Sequence, residues 1–370
     1  MSSGIRVAAF VEEFDLRTPA QQLVDRFLLG ITRSGQVQAP RAREVVLVGA
    51  GGFTHAEIER RARDLSLVQV NDARTALRST RGVLVVPRGL GERRHDAAVG
   101  GVIDAADAGS AVFVHGALAG DAESASSLAR RAESRGLTLM AGSYLGTTWR
   151  LPPVEMEFGT KLKSALIAVV GGEEAPFLGV DGLLPIVERR HGGESGLRSV
   201  TAVVGLDVWK QKDCAGLLAV AISRSNSPQG DPQKDGRTQD LVGLGLVPKL
   251  AKNPVLYRLR HGDGMVSFVV NVTGVVNDIN FALETAGGEQ ISAQIYRPPH
   301  PYSEEWTSLA GVVGDAFVAR QAPWPIERSV LAAGILNAFE RARKQPGRTL
   351  ATPELSVAYT GPRDAVFWRT

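Results

Sequence analysis

The chain has 370 residues, more than one hydrophobic core usually supports, so two domains are expected. Hydrophobic residues make up 44% and charged residues 22%, which is typical of a globular protein and argues against a disordered one. The formal net charge of +3 comes with arginines scattered along the chain, so we expect no nucleic-acid partner.

The single cysteine, Cys214, excludes an internal disulfide, so the chain needs no oxidising compartment. The N-terminal sequence MSSGIRVAAFVEEF has a strand-like apolar run and lacks the pattern of a signal peptide. No stretch approaches the roughly 18 apolar residues of a membrane span. We therefore expect a cytoplasmic protein without a membrane partner.

Short apolar runs alternate with helical patterns through the first 150 residues. The run RVAAFV precedes TPAQQLVDRFLLGI, whose apolar residues recur at helical spacing behind the predicted N-cap Thr18. Further strands are predicted at EVVLV, LVQV, GVLVV, AVFVHG and LTLMAGS. This alternation predicts an α/β fold, with a Rossmann-like, doubly wound parallel sheet in residues 1–150.

The pattern changes after TTWRLPP, where Pro152 and Pro153 interrupt it. Longer strand candidates follow, among them ALIAVVGG, VTAVVGLDVW, MVSFVVNVTG and QISAQIYRP, separated by turn sequences such as DGM and AGGEQ. Residues 151–370 are therefore expected to form an α+β domain with a largely antiparallel sheet. A mobile loop is predicted around 224–240 and an amphipathic C-terminal helix around 326–344.

The stretch VVLVGAGGFTHAEIERRARDLSLVQVND resembles a dinucleotide-binding fingerprint. Gly49 and Gly51 match the first two glycines of G-x-G-x-x-G, but Thr54 stands where the third is expected. Asp72 ends the next predicted strand about 20 residues later, the spacing of an acid that binds a ribose hydroxyl. Gly49, Gly51 and Asp72 are therefore candidate NAD(P)-binding residues.

Two observations favour a purely structural turn. The glycines lie between the strand and the helix of the second strand-helix unit, whereas the fingerprint usually lies in the first unit. The first turn, VEEFDLRT, has no glycine and carries Glu12, Glu13 and Asp15, whose charges would repel a phosphate. A glycine turn capped by Thr54, with Glu57 at the capping-box position, explains the same residues without a cofactor.

Four segments carry a family resemblance: LMAGSYLGTTWRLPPVEMEFG, IVERRHGGESGLRSVTAVVGLDVWK, APWPIERSVLAAGILNA and TPELSVAY. They resemble a bacterial group of uncharacterised proteins related to the glucose-fructose oxidoreductase and inositol dehydrogenase superfamily, Gfo/Idh/MocA. The resemblance spans nearly the whole chain. It implies a Rossmann domain followed by an open-faced α/β domain for substrate binding and oligomerisation.

The resemblance also implies histidines after the fourth strand, after the fifth strand and before the ERR sequence. This chain reads VVPRGLGER, VFVHGALAG and APFLGVDGLL at these places. Histidine is missing from the first, His115 is displaced by about two positions in the second, and Leu178 replaces histidine in the third, with Asp181 near the expected acid. Because leucine can neither bind a metal nor transfer a proton, the active-site histidines of the group are replaced and no metal site is predicted.

The retained residues cluster in SYLGTTWR and ERRHGGESG. The first segment follows the sixth strand, at the edge where open α/β sheets bind ligands, and a rigid interdomain hinge would use the same residues. His115 is the remaining acid/base candidate, with a hydrogen-bonded loop histidine as its alternative. Arg190 could contact a substrate or form a structural ion pair. The candidate catalytic residues are His115, Tyr144 and Arg150, and the candidate substrate contacts are Ser143, Thr147 and Arg190.

Two functions remain open at this point. The first is an oxidoreductase-like enzyme that uses NAD(P) and acts on a polar, polyhydroxylated or carboxylated small molecule. The second is a degenerate binding or scaffold subunit that has lost the catalytic histidines and pairs with an active paralogue. Homo- or hetero-oligomer formation suits both. The enzyme is slightly favoured, because most of the superfamily is catalytic.

Overall fold

The structure is a computed structural model that describes residues 4–49, 55–90, 95–227, 241–298 and 303–369. Gly51 and Thr54 of the glycine turn lie outside these ranges, as do residues 228–240 of the predicted mobile loop. What the sequence predicts for these residues therefore stays a prediction.

The N-terminal part is a parallel sheet flanked by helices. Its elements, in chain order, are β1 (Ile5–Val11), α1 (Pro19–Leu29), β2 (Ile31–Arg33), β3 (Gln36–Gln38), β4 (Ala42–Gly49), α2 (His55–Asp64), β5 (Leu67–Gln69), α3 (Ala73–Leu77), β6 (Gly82–Val86), α4 (Asp96–Ala105), β7 (Ala111–His115), α5 (Ala122–Ser134) and β8 (Thr138–Gly142). The predicted cap of the first helix is confirmed, because Thr18 Oγ1 accepts the Gln21 N–H. A small hairpin of β2 and β3 follows α1.

The described strands of the main N-terminal sheet have the order β5-β4-β1-β6-β7-β8, and all neighbours in it are parallel. This is the doubly wound order 3-2-1-4-5-6, with its reversal between β1 and β6. The predicted Rossmann-like sheet is therefore confirmed. The glycine turn follows β4, one strand away from this switch point.

The C-terminal part contains a second, larger sheet. Its elements, in chain order, are β9 (Arg150–Leu151), β10 (Leu162–Val169), α6 (Ala175–Val187), β11 (Glu194–Ser195), β12 (Leu197–Val204), α7 (Lys212–Ile222), α8 (Val247–Leu250), β13 (Val255–His261), β14 (Val266–Asn271), β15 (Ile279–Thr285), β16 (Gln290–Ile295), α9 (Glu305–Ala319), α10 (Ile326–Arg343), β17 (Thr349–Ala351) and β18 (Ala358–Tyr359). Short 3₁₀ turns lie at Tyr144–Gly146, Gly205–Lys210 and Pro353–Leu355.

Among the described residues, the second sheet has the order β17-β12-β13-β14-β10-β15-β16-β9. Its neighbours are antiparallel except β10 and β14. Helices α6 and α10 pack on one face, and α7 packs on the other face over β10 and β15. The largely antiparallel α+β architecture predicted for the second half is confirmed.

Two late helices join the sheets. Helix α9 returns to the first sheet, where Leu309, Val313 and Phe317 share a core with Val7 and Phe113. Helix α10 lies between α5 and β8 on one side and α6 and β12 on the other. Because both sides of its middle turns are covered, α10 exposes polar side chains only near its ends, at Glu327, Glu340, Arg341 and Arg343, and lacks the continuous polar face of the predicted amphipathic helix. The division of the chain at residue 150 stays a prediction.

One tight contact in this packing gives a stability prediction. A Cβ atom added at Gly82, in β6, would overlap the ring of the fully buried Phe317. We expect Gly82→Ala to lower the free energy of unfolding by roughly 1–3 kcal/mol, the usual cost of overpacking a core. Urea denaturation monitored by circular dichroism would measure the change.

The matched control is Gly101→Ala in α4, where an added Cβ meets no atom within 4 Å. Gly101 is exposed inside a helix, so alanine there is expected to stabilise the protein by roughly 0.5–1 kcal/mol. Equal effects of the two substitutions would contradict the packing of α9 against β6.

Candidate functional site

Glu12 crosses the crevice at the switch point of the first sheet. It follows β1, and its N–H donates to the Val86 carbonyl at the end of β6 at 3.3 Å. Its carboxylate accepts the Arg88 N–H at 3.0 Å and lies 3.9 Å from His95 Nδ1. Open α/β sheets bind ligands in this crevice, so its lining decides which ligands fit.

The connection from β1 to α1 offers few backbone amides to an anion. The N–H groups of Asp15 and Gln21 donate to Thr18 Oγ1. The N–H of Leu16 donates to the Asp15 carboxylate, and that of Arg17 donates to Gln21 Oε1. A pyrophosphate binds through free N–H groups at a helix N-terminus, and here these four N–H groups are already bonded.

Charge and packing at this connection also oppose a dinucleotide. Glu12, Glu13 and Asp15 are acidic, and the fully buried Phe14 anchors the loop in the core, 5.4 Å below the Arg61 guanidinium. No glycine lies between Val11 and Pro19 to let a pyrophosphate approach the backbone. The residues at the switch point therefore do not fit a nicotinamide dinucleotide.

The predicted cofactor residues lie away from this crevice. Gly49 is the last residue of β4 and pairs with Val11. Asp72 does not end a strand, which corrects its sequence-based placement: β5 ends at Gln69, and Asp72 caps α3. Its carboxylate accepts the N–H and the hydroxyl of Thr75, both at 2.7 Å, and these bonds lower the pKa of Asp72.

His115 and Tyr144 meet at the carboxyl edge of the first sheet. His115 ends β7 and Tyr144 follows β8, and both rings contact Trp306 of α9, with centroid distances of 5.1 and 5.2 Å. Glu305 immediately precedes Trp306. We call His115, Tyr144, Glu305 and Trp306 the carboxyl-edge cluster. The structure thus brings together two of the three candidate catalytic residues.

The two predicted members of the cluster are uncharged near neutral pH. Burial lowers the pKa of His115 to about 4, with a backbone hydrogen bond to Gly142 opposing part of the shift. Burial raises the pKa of Tyr144 to about 12, so its hydroxyl keeps its proton. His115 is therefore a weak base here, and Tyr144 is suited to donate a hydrogen bond to a ligand.

Glu305 is a candidate that the sequence reasoning missed. Its side chain is buried, and within the described residues its Oε2 atom has no hydrogen-bond partner. Burial raises the pKa of Glu305 to about 7, against the opposing effect of Arg26 and Arg297. A carboxyl group with this pKa can take up or release a proton near neutral pH. An acid in the first turn of a helix gives no sequence signal of such burial.

The side chains of Ser143 and Thr147 form hydrogen bonds within the protein. Ser143 donates its N–H and its hydroxyl to the buried Asp181 carboxylate of α6, at 3.0 and 2.5 Å. Thr147 Oγ1 bonds to the Tyr144 carbonyl and to Ser308 Oγ of α9, each at 3.1 Å. These bonds link the segment after β8 to α6 and α9. They favour the interdomain hinge, the alternative to substrate binding in the sequence analysis.

Arg150 and Arg190 lie apart from the carboxyl-edge cluster. Arg150, at the start of β9, stacks on Phe367 and Phe281, with its guanidinium 4.0 and 5.5 Å from the ring centroids. Arg190 donates all five N–H groups to Asp263, Val187, Glu194 and Ser195. In this conformation Arg190 has no donor left for a substrate.

Arg190 belongs to a buried network that has the outline of a hydrolytic triad. His261 Nδ1 lies 2.9 Å from Glu194, and His261 Nε2 lies 2.8 Å from Ser267 Oγ. Glu194 and Ser267 are fully buried and His261 is 1% exposed, so a substrate has no access to the serine. The network therefore stabilises the second sheet.

The described residues contain neither a cluster of metal-binding side chains nor a membrane-spanning helix. In the described ranges, no group of three or more His, Cys, Asp or Glu side chains could hold a metal ion. No helix of these ranges is long and apolar enough to cross a membrane.

Comparisons with known proteins give a likeness in structure alone. No family model matches the chain, and no curated protein matches its sequence. GenD2 from gentamicin A biosynthesis, solved with NAD, is similar over 95% of this chain and 97% of its own, with 15% identity and a TM-score of 0.60. Myo-inositol dehydrogenase from Lactobacillus casei, solved with NAD(H) and myo-inositol, is 12% identical, covers 94% and 96%, and has a TM-score of 0.58.

A probable dehydrogenase from Thermotoga maritima is similar over 95% of this chain and all of its own, with 11% identity and a TM-score of 0.59. These likenesses span both sheets, so they cover the whole architecture. At such identities they establish the fold and leave the chemistry to the residues of this chain. The chain has the fold of the inositol dehydrogenases and of GenD2.

The position of Glu305 predicts an unusual dependence of stability on pH. In the unfolded chain its carboxyl group ionises near pH 4.5, but in the folded state only near pH 7. The folded state therefore holds an extra proton between these values, and stability falls as the pH rises through them. We expect Glu305→Gln to be more stable than the wild type at pH 8, by roughly 2–3 kcal/mol, and no more stable at pH 4.

Thermal unfolding of both proteins between pH 4 and 8 would measure this difference. The exposed Glu133 provides the control substitution Glu133→Gln, which should leave the pH profile unchanged, because Glu133 is not among the groups that act on Glu305. A Glu305→Gln protein that is less stable than the wild type at pH 8 would show that burial does not disfavour the ionised form of Glu305.

Glu194 gives the opposite prediction. Burial alone would raise its pKa, but His261 and Arg190 outweigh burial and hold the pKa of Glu194 at about 2. Its stabilising effect is complete above about pH 4.5 and is lost as the pH falls towards 2. We expect Glu194→Gln to cost roughly 3–5 kcal/mol at pH 7, because it removes the buried carboxylate that pairs with the Arg190 guanidinium and bonds to His261 Nδ1.

The cost should shrink as the pH falls, and chemical denaturation at pH 7 and pH 3 would show it. Glu354, which pairs with Arg341 on the surface, supplies the control substitution Glu354→Gln. That change should cost less than about 1 kcal/mol. If the two substitutions had similar costs at pH 7, the network would not be a buried stabilising unit.

Proposed function

We propose that this chain is a ligand-binding relative of the dehydrogenases that works without a nicotinamide dinucleotide. Its ligand is a polar, polyhydroxylated or carboxylated small molecule, bound at the carboxyl-edge cluster. The observation that carries the proposal is Glu12, whose carboxylate bridges the two turns of the switch point. The function is that of a catalytically degenerate subunit, which acts in the cytoplasm as a homo-oligomer or beside an active paralogue.

The chemistry of the cluster supports a ligand with several hydroxyl groups. Tyr144 is half-buried and retains its hydroxyl proton, so it can donate a hydrogen bond. Arg297 acts electrostatically on both Tyr144 and Glu305, and it supplies further N–H donors at the cluster. Glu305 can accept or donate, depending on its protonation. A site that mixes donors and acceptors suits hydroxyl groups, which do both.

The second candidate is an NAD(P)-dependent oxidoreductase. The likeness to GenD2 and the inositol dehydrogenase over both sheets favours it, since each was solved with a nicotinamide cofactor. In this case Gly49, Gly51 and Asp72 would bind the cofactor beside β4, one strand from the switch point. His115 and Tyr144 would then act on a polyol-like substrate, with Arg150 and Arg190 outside the reacting centre.

Ligand titration separates the two candidates. We expect no saturable binding of NAD⁺, NADH, NADP⁺ or NADPH by isothermal titration calorimetry, because the first turn opposes a pyrophosphate with charge and bonded amides. A panel of polyols and sugar acids should instead raise the melting temperature through binding to the folded state. Tyr144→Phe should abolish that rise, since it removes the hydroxyl donor.

Tyr257→Phe is the matched control, because Tyr257 stacks on Phe339 in the core of the second sheet. It should leave the response to polyols unchanged. Saturable nicotinamide binding that Asp72→Asn weakens would establish the oxidoreductase and overturn our proposal. Loss of the polyol response in both tyrosine variants would place the ligand elsewhere.

A further inference from the structure

Arg150 is a buried cation without a counter-ion among the described residues. Its side chain is 5% exposed, and it makes neither an ion pair nor a hydrogen bond with any part of the chain that the structure describes. Its guanidinium packs against the rings of Phe367 and Phe281. Contact with aromatic faces compensates such a charge only in part, and buried charges are ordinarily paired.

The ionic neighbours that act most strongly on Arg150 are also cations. Arg189 and Arg369 act on it electrostatically, and together with burial they lower the pKa of Arg150 to about 9. Arg369 stacks on Phe367, the ring that Arg150 also contacts. Glu155 is the carboxylate at this place, and it is shared between Arg189 and Arg369. Two guanidinium groups thus share the Glu155 carboxylate, and Arg150 has no carboxylate partner among the described residues.

Hydrogen-bond donors are left over in the same place. Arg150 has five N–H groups that no described residue accepts. Arg189 spends one terminal nitrogen on the carbonyls of Pro362 and Arg363 and the other on Glu155, while its buried Nε has no partner in the described chain. The excess of positive charge and the unbonded N–H donors therefore occur at the same arginines.

Other acids near this cluster do not remove the surplus. Glu188 acts on Arg189, but both of its oxygens already bind Arg328. Asp364 also acts on Arg189, from an exposed position on the C-terminal segment. Neither acid is among the groups that act on Arg150.

We propose that Arg150, Arg189 and Arg369 form a binding site for the carboxylate group of a small organic molecule. A planar guanidinium pairs with a carboxylate through two parallel hydrogen bonds, and Arg150 has its whole fork free for this. The phenyl rings of Phe281 and Phe367 give the site apolar walls, which favour an organic acid over an inorganic anion. Arg369 is 58% exposed and marks the solvent side of the site.

This site is independent of the proposed function. It uses no residue of the carboxyl-edge cluster and does not depend on whether a dinucleotide binds. It also differs from the catalytic assignment of Arg150 in the sequence analysis, since the arginine binds an anion here and transfers no proton.

Calorimetric titration with acetate, benzoate and inorganic phosphate, at constant ionic strength, tests the site. We expect saturable binding of the two carboxylates and weaker binding of phosphate. Arg150→Gln should weaken benzoate binding by roughly 10-fold or more, the effect of losing a charge-assisted bidentate contact. Arg369→Gln should weaken it by a smaller factor, because its guanidinium faces solvent.

The matched control is Arg341→Gln. Arg341 is 44% exposed and pairs with Glu354 as Arg369 pairs with Glu155, but it is not among the groups that act on Arg150. It should leave the affinity for benzoate unchanged. Equal affinities of wild type, Arg150→Gln and Arg369→Gln would overturn the proposal, as would the absence of saturable carboxylate binding.

Phosphate binding tighter than benzoate would overturn the assignment to organic carboxylates. If Arg150→Gln does not fold, the exposed position of Arg369 still decides the question. An Arg369→Gln protein with wild-type affinity for benzoate would then contradict the site, and a reduced affinity beside an unchanged Arg341→Gln control would support it.

Discussion

The hydrogen bonds from Ser143 to Asp181 hold the two sheets of this protein in one relative orientation. Ser143 follows the last strand of the first sheet, and Asp181 lies on the helix that covers the second. Burial raises the pKa of Asp181, and the two donors from Ser143 oppose that rise. Ser143 also caps the turn that presents Tyr144. The position of the carboxyl-edge cluster therefore depends on the same bonds that join the sheets.

The buried arginines differ in whether the described chain supplies a carboxylate partner for them. Arg328 pairs with Glu188, and Arg190 pairs with Glu194, in regions that the described chain satisfies fully. Arg150 is comparably buried, yet its surroundings add positive charge. An unpaired buried charge costs free energy unless a partner neutralises it, and this cost is the reason for proposing a carboxylate ligand at Arg150.

The parallel, doubly wound sheet was predictable because its signals are local, whereas the roles of the site residues depend on distant contacts. Strand-helix alternation and the Thr18 cap are both written in neighbouring residues. In the sequence, an acid after an apolar run looks the same whether it ends a strand or caps a helix. The prediction that Asp72 ends a strand was wrong for this reason. Arg190 meets Glu194 four residues away, but its second acid, Asp263, is 73 residues away. Glu305 owes its burial to the packing of α9 on the first sheet, which no local pattern records.

The switch point shows how a doubly wound topology can be kept while the residues that line its crevice change. A doubly wound sheet leaves a crevice between its first and fourth strands whatever residues line it. Core positions accept exchanges of similar volume, so the architecture persists at 15% identity to GenD2. A pyrophosphate turn accepts few exchanges, because it needs free amides and a close approach to the backbone. In this chain Thr18 and Gln21 accept N–H groups of the first turn, and the Glu12 carboxylate accepts the Arg88 N–H across the crevice. These bonds are the observations on which the proposed dinucleotide-free ligand site rests.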